Sequence, residues 1–125
     1  MTKLLKRKYK IIDSNIIGHS DIAPFRKLDP GEKFPWKKLY KNQIGIWHQE
    51  KKLSSNILDK KFIKKKFFSN LYKIGYRYFD ARVRSKKDVL LIKAFQRHFY
   101  PKKVDGKIDQ KTYIISHLLA KRNKI

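Results

Sequence analysis

At 125 residues the chain has room for one ordinary domain, or for a small domain and a piece of another, and two full domains are excluded. Hydrophobic residues at 41% and aromatics at 14% exclude wholesale disorder, and the absence of cysteine excludes disulfides and thiolate metal sites, so any zinc must be held by histidine and carboxylate. The 33 Lys plus Arg against 10 Asp plus Glu give a net charge of +23. That charge has two readings: a polyanionic partner such as nucleic acid, an acidic membrane face or a wall polymer, or compositional drift toward Lys, Ile and Asn. The lysines are spread along the chain and form no single stripe, which favours drift.

In chain order, Thr2 to Lys10 reads as a short helical piece with Leu4, Leu5 and Tyr9 on one face. Only Leu4 and Leu5 are apolar there, so no signal-peptide core is expected, and no apolar run is long enough for a transmembrane segment. Localisation is left open. A turn at Asp13-Ser14-Asn15 feeds Ile16-Ile17-Gly18, whose β-branched residues predict a short buried strand ending at His19. From Ser20 to Trp36, Pro24, Pro30, Pro35 and Gly31 forbid a regular element. Phe25, Phe34 and Trp36 make this an ordered loop that packs on something. Lys37 to Trp47 finishes the unit as a short helix and turn, and polar Gln49 to Ser55 is the expected boundary.

Three amphipathic helices follow. The first spans Asp59 to Ile74, with Ile63, Phe67, Leu71 and Ile74 on one face and Gly75 as its stop. The second starts at a capping box of Ser85 and Asp88, buries Leu91, Ile92, Phe95 and Phe99, and ends at Pro101. After an Asp105-Gly106 turn, Asp109 caps the third, which buries Ile114, Ile115, Leu118 and Leu119. Together they predict a small three-helix bundle. His98 reads as a partly buried, hydrogen-bonded side chain, and the Lys60, Lys61, Lys64, Lys65 and Lys66 cluster as a solvated face.

The candidate chemistry lies in the proline-stiffened loop, where His19 and Asp29 are ten apart. Hydrolytic zinc takes three His or carboxylate ligands and leaves a fourth position for water, and these two residues could supply two of the three. The string Gly18-His19-Ser20-Asp21-Ile22-Ala23-Pro24-Phe25-Arg26-Lys27-Leu28-Asp29-Pro30-Gly31, continuing through Phe34-Pro35-Trp36, resembles the second metal-binding segment of the type-2 N-acetylmuramoyl-L-alanine amidases. The resemblance implies that His19 and Asp29 are zinc ligands. It implies that Lys27 stands beside the metal to stabilise the developing oxyanion, and that Asp21 and Arg26 fix the loop. The bond cut would join N-acetylmuramic acid to the first L-alanine of the peptidoglycan stem.

Gly75-Tyr76, Ala94-Phe95-Gln96-Arg97-His98-Phe99, Val104-Asp105-Gly106, Ile108-Asp109 and Leu118-Leu119 resemble the three-helix peptidoglycan-binding domain of one branch of these amidases. Exposed aromatics at Tyr76, Tyr78 and Tyr100 are then the expected wall contacts. The fold class expected is mainly α. Residues 56–125 would form the wall-binding bundle, preceded in residues 1–50 by an incomplete remnant of an α/β amidase domain, made of a helix, a short strand and the Pro-rich loop.

In the resembled family the first zinc histidine and the general-base glutamate lie upstream of the part matched here, so one zinc ion would find an incomplete ligand set and the chain little amidase activity. An upstream half of a split amidase is the partner this implies, beside peptidoglycan itself. A non-catalytic peptidoglycan-binding module is the alternative function. A basic nucleic-acid binder is a third, although no specific nucleic-acid motif is present.

Overall fold

The computed structural model describes residues 2–48, 60–77, 79–80 and 82–122. Six α-helices are present among them: α1 (Thr2–Lys8), α2 (His19–Ile22), α3 (Trp36–Lys41), α4 (Lys60–Ile74), α5 (Asp88–Phe99) and α6 (Gln110–Arg122), with a 3-10 turn at Asp13–Asn15. The expected boundary at Gln49 to Ser55, and Asp59, lie outside the described residues.

The mainly α expectation holds, and the short strand does not. Ile16 has extended backbone, yet no strand occurs among the described residues, because a strand exists only through a hydrogen-bonded neighbour and none of these segments offers one. Ile16 to Gly18 instead runs as irregular chain into α2.

The front unit is tied together at Asp13. Its carboxylate accepts from Lys6 Nζ at 2.6 Å and from the Gly45 amide at 3.1 Å, while the same ammonium reaches the Gln43 carbonyl at 2.8 Å. One acidic side chain thereby joins α1 to the turn that follows α3.

In the helical bundle, α4 and α6 run against each other, and α5 faces α2 and α3. Phe67, Phe68 and Leu71 of α4 are fully buried, as are Leu91 and Phe95 of α5. Phe67 meets Phe68 and Phe95 edge to face, with centroids 5.3 and 5.5 Å apart, the arrangement that the ring quadrupole favours. Trp36, Ile46 and Trp47 belong to the same core as these residues, so the front segment and the bundle share one apolar interior.

The caps follow sequence logic with one change. Asp109 Oδ1 accepts from the Thr112 amide at 2.8 Å, as an N-cap should. Burial alone would raise the Asp109 carboxyl, but the Thr112 hydroxyl and amide and the Lys103 ammonium hold it below its ordinary value. At α5 the Asp88 carboxylate does reach back to the Ser85 amide at 2.9 Å, whereas Ser85 Oγ accepts from the Lys87 amide at 3.2 Å rather than from residue 88. On α6 the fully buried positions include Thr112, Ile115, Ser116 and Leu119, while Ile114 and Leu118 are half-buried. The helix is rotated toward its small polar residues because they have partners: Asn70 Nδ2 donates to Ser116 Oγ at 3.2 Å, and Gln96 to Thr112.

Candidate functional site

The loop between α2 and α3 closes on itself through two local features. The Ser20 amide donates to the Asp29 carbonyl at 2.9 Å, which brings the main chain of the second ligand candidate against the residue that follows the first. Gly18 makes this closure sterically feasible: a Cβ there would overlap the Pro30 ring and touch the edge of the Trp36 indole. Between the two ends, the Arg26 and Lys27 amides both donate to the Ala23 carbonyl, forming the turn at the loop's tip. The Asp29–Pro30 peptide is cis. Because a Cβ at Gly18 would overlap the Pro30 ring, replacing Gly18 by Ala is expected to push Pro30 outward and break the Ser20–Asp29 bond, costing about 1–3 kcal/mol as an overpacking change. Chemical denaturation, with amide exchange at Ser20, measures it.

His19 opens α2, and its side chain lies outside what is described. Lys27 and Asp29 are on the exposed side of the loop, as is Arg26. Imidazole and carboxylate are donor types that hydrolytic zinc uses, and the main chain brings the two positions onto adjoining segments. No group of three metal-ligating side chains occurs among the described residues.

Asp21 occupies the centre of a second arrangement. Its Oδ2 accepts from the Gly18 amide at 3.0 Å and from His98 Nδ1 at 2.6 Å, and its Oδ1 accepts from the Tyr76 hydroxyl at 2.5 Å. The first partner is three residues away; the others are 77 and 55 residues away and come from the bundle. His98 is 2% exposed and stacks on Trp36 and on Phe99, with both centroid separations 3.9 Å. Burial, then the adjacent Asp21 charge and hydrogen bond, push the Tyr76 hydroxyl well above its ordinary value, against a smaller lowering by Arg97. Tyr76 thus remains a neutral donor at physiological pH. His48 Nε2 pairs with the Phe99 carbonyl at 2.9 Å and adds a second link between the front unit and α5. A cleft of roughly 150 Å³ opens beside the network, lined by Ile17, Asp21, Ile46, Tyr76, His98 and Phe99 among others.

Tyr76 is 4% exposed and bonded to Asp21, so it cannot stack on a sugar, contrary to the sequence expectation. Tyr100 is half-buried against the core, and Tyr78 lies outside the described residues. The Gly75-Tyr76 pair instead turns the chain out of α4, through bonds from both amides to the Leu71 carbonyl, and aims the phenol back at the loop. Asp21 ties the loop as expected, and His98 is hydrogen-bonded as expected but is fully buried where a partly buried side chain was expected. That the two hold each other was not readable from sequence.

A proline-closed loop docked on a three-helix bundle is part of an N-acetylmuramoyl-L-alanine amidase fold. The chain is homologous over nearly its whole length to the amidase AmiD, and over a shorter segment to the AmpD amidases. It is 30% identical to N-acetylmuramoyl-L-alanine amidase AmiD of Escherichia coli over 98% of this chain and 45% of that protein. A match to the 1,6-anhydro-N-acetylmuramyl-L-alanine amidase AmpD of Enterobacter cloacae is shorter and closer, 50% identical over 40 residues, or 32% of this chain and 21% of that one. The solved complex of the Escherichia coli AmiD with anhydro-N-acetylmuramic acid-L-Ala-D-gamma-Glu-L-Lys superposes with a TM-score of 0.80 at 29% identity, covering 96% of this chain and 48% of that one. For AmpDH3 of Pseudomonas aeruginosa in complex with anhydromuramic pentapeptide the TM-score is 0.82 at 32% identity, with 97% and 49% covered. The chain thus spans about half the length of the relatives it matches. No family model matches it.

Proposed function

We propose that these residues are the metal-loop and wall-binding part of a zinc-dependent amidase acting on the bond between N-acetylmuramic acid and L-alanine. The observation that supports this reading is the Ser20–Asp29 main-chain bond under the Gly18–Pro30 contact, which brings the chain at His19 beside the chain at Asp29. His19 and Asp29 would hold the ion. Zinc, when bound, lowers the pKa of a coordinated water toward neutrality and so makes a nucleophile available. Lys27, on the exposed rim of the same loop, would give its ammonium to the oxyanion that develops on the lactyl amide carbonyl. The substrate class is supported by the muropeptides present in the solved relatives.

The rest of the fold would pack on the front unit, either as further chain or as a separate polypeptide. Leu4, Leu5, Tyr9 and Ile12 support this: they are 44–63% exposed, along a stretch where a solvated helix would gain nothing from them. A second reading is a peptidoglycan-binding module without catalysis, for which the bundle, ordered around its own buried aromatic core, would suffice. No helix among the described residues is long and apolar enough to cross a membrane.

Two measurements on purified sacculi distinguish the readings. The 125-residue polypeptide is expected to co-sediment with insoluble sacculi and to release few or no free stem peptides, since two protein ligands bind zinc weakly. Clearing of a peptidoglycan gel, lost in His19→Ala, would establish the hydrolase and overturn the expectation of low activity. Failure to co-sediment would remove the binding-module reading.

A further inference from the structure

Asp21 stands two residues after a ligand candidate, yet two of its three hydrogen-bond partners belong to the helical bundle. A loop held only by its own turns would open readily, because loop amides near solvent exchange at low free energy. This loop is held from outside. Tyr76 lies two residues past the end of α4, after Gly75, and His98 stands in the last turn of α5, so both donors are delivered by elements whose neighbours Leu71, Phe95 and Phe99 are buried in the common core. Tyr76 and His98 approach different oxygens of one carboxylate, which fixes its plane, while the Gly18 amide shares the oxygen used by His98. Trp36, at the far end of the loop, stacks on the same imidazole. Both ends of the segment that contains His19 and Asp29 are therefore anchored on His98.

We propose that Tyr76 and His98 are positioning residues, which act through Asp21 to hold the His19–Asp29 segment in its closed geometry, so that the wall-binding bundle is also part of the scaffold of the hydrolytic site. The metal aspect of this statement rests on the proposed function; the holding of the loop does not.

The test uses the full chain and two variants that keep ring shape or donor capacity, Tyr76→Phe and His98→Gln, with His98→Ala as the severe case. Native-state hydrogen exchange resolves single amides. Tyr76→Phe is expected to lower protection at Gly18, Ser20 and Asp21 by about ten-fold, with Leu91, Phe95 and Leu119 unchanged. His98→Ala is expected to lower it further, and His98→Gln to restore part of it, because the amide can still donate to Asp21. Unchanged protection at Ser20 in Tyr76→Phe would overturn the proposal, as would an equal loss at all amides, which would mean general destabilisation. A parallel titration with Co²⁺ alone, followed by its visible absorption, reads the metal aspect. Weaker binding in Tyr76→Phe than in the unaltered chain supports it. If the unaltered chain bound Co²⁺ no better than His19→Ala, the metal reading would fail, while the exchange result would still decide whether the bundle holds the loop.

Discussion

Replacing Asp21 by Ala is expected to lower the stability of the chain by about 3 kcal/mol, the lower end of the range for breaking a buried polar pair by removing one partner. Three donors lose their acceptor together: the Gly18 amide, the Tyr76 hydroxyl and His98 Nδ1. Each orphaned buried donor costs about 1–3 kcal/mol, so the sum could run higher. What limits the loss is the adjacent cleft, lined by Asp21, Tyr76 and His98, which is polar enough there to admit a replacement water. Asp21→Asn should recover part of the loss, since its carbonyl oxygen can still accept from Tyr76, while its NH₂ would face two donors, the Gly18 amide and His98 Nδ1. Urea unfolding of the two variants beside the unaltered chain measures both effects. A change below about 0.5 kcal/mol for Asp21→Ala, the range of ordinary surface substitutions, would mean that the network bears no load.

The contrast between what was legible in the sequence and what was not follows the range of the interaction. Helix positions and their buried faces rest on contacts within a few residues, so the 3.6-residue spacing of Ile63, Phe67, Leu71 and Ile74, the Gly75 stop and the Asp109 cap were readable one segment at a time. The irregular loop was readable because proline restricts the chain wherever it stands. The strand at Ile16 to Gly18 was not, because β-branched residues only favour extended chain, and pairing is decided by a neighbour elsewhere.

The fate of Tyr76 is the same lesson at the site. A tyrosine after a helix-ending glycine has the composition of an exposed sugar platform and of a buried donor alike. What decides between them is a carboxylate 55 residues earlier, and one sequence contains nothing that links the two positions. Asp21 was recognisable as part of a motif, and its local bond to the Gly18 amide accords with that; its long-range partners were invisible for the same reason. The roles proposed for His19, Lys27 and Asp29 rest on motif resemblance. The structure adds to them the closure of the loop that carries all three.

The second large effect is expected at Gln96, which is fully buried in α5 and saturates its amide. Its Nε2 shares two hydrogens among three acceptors, Asp105 Oδ1, the Lys107 carbonyl and Thr112 Oγ1, at 3.0–3.2 Å, and its Oε1 accepts from the Asp105 and Gly106 amides at 3.1 and 2.9 Å. One side chain thus replaces the partners that a tight turn between two helices cannot provide for itself. The turn also needs Gly106: its φ is +74°, and a Cβ there would come within 2.7 Å of Val89 Cγ1. Gln96→Ala would orphan two backbone amides at about 1–3 kcal/mol each and leave a small cavity, so a loss of about 4 kcal/mol is expected. Gln96→Glu separates hydrogen bonding from volume. It keeps the acceptor for both amides but sets a carboxylate against Asp105 Oδ1, where the glutamine amide now donates at 3.1 Å, so it should destabilise by a similar amount at neutral pH. Thermal unfolding of the two variants decides the matter. If Gln96→Glu were as stable as the unaltered chain, the donor side of the amide would be dispensable, and the turn would owe its shape to Gly106 and the two accepted backbone bonds alone.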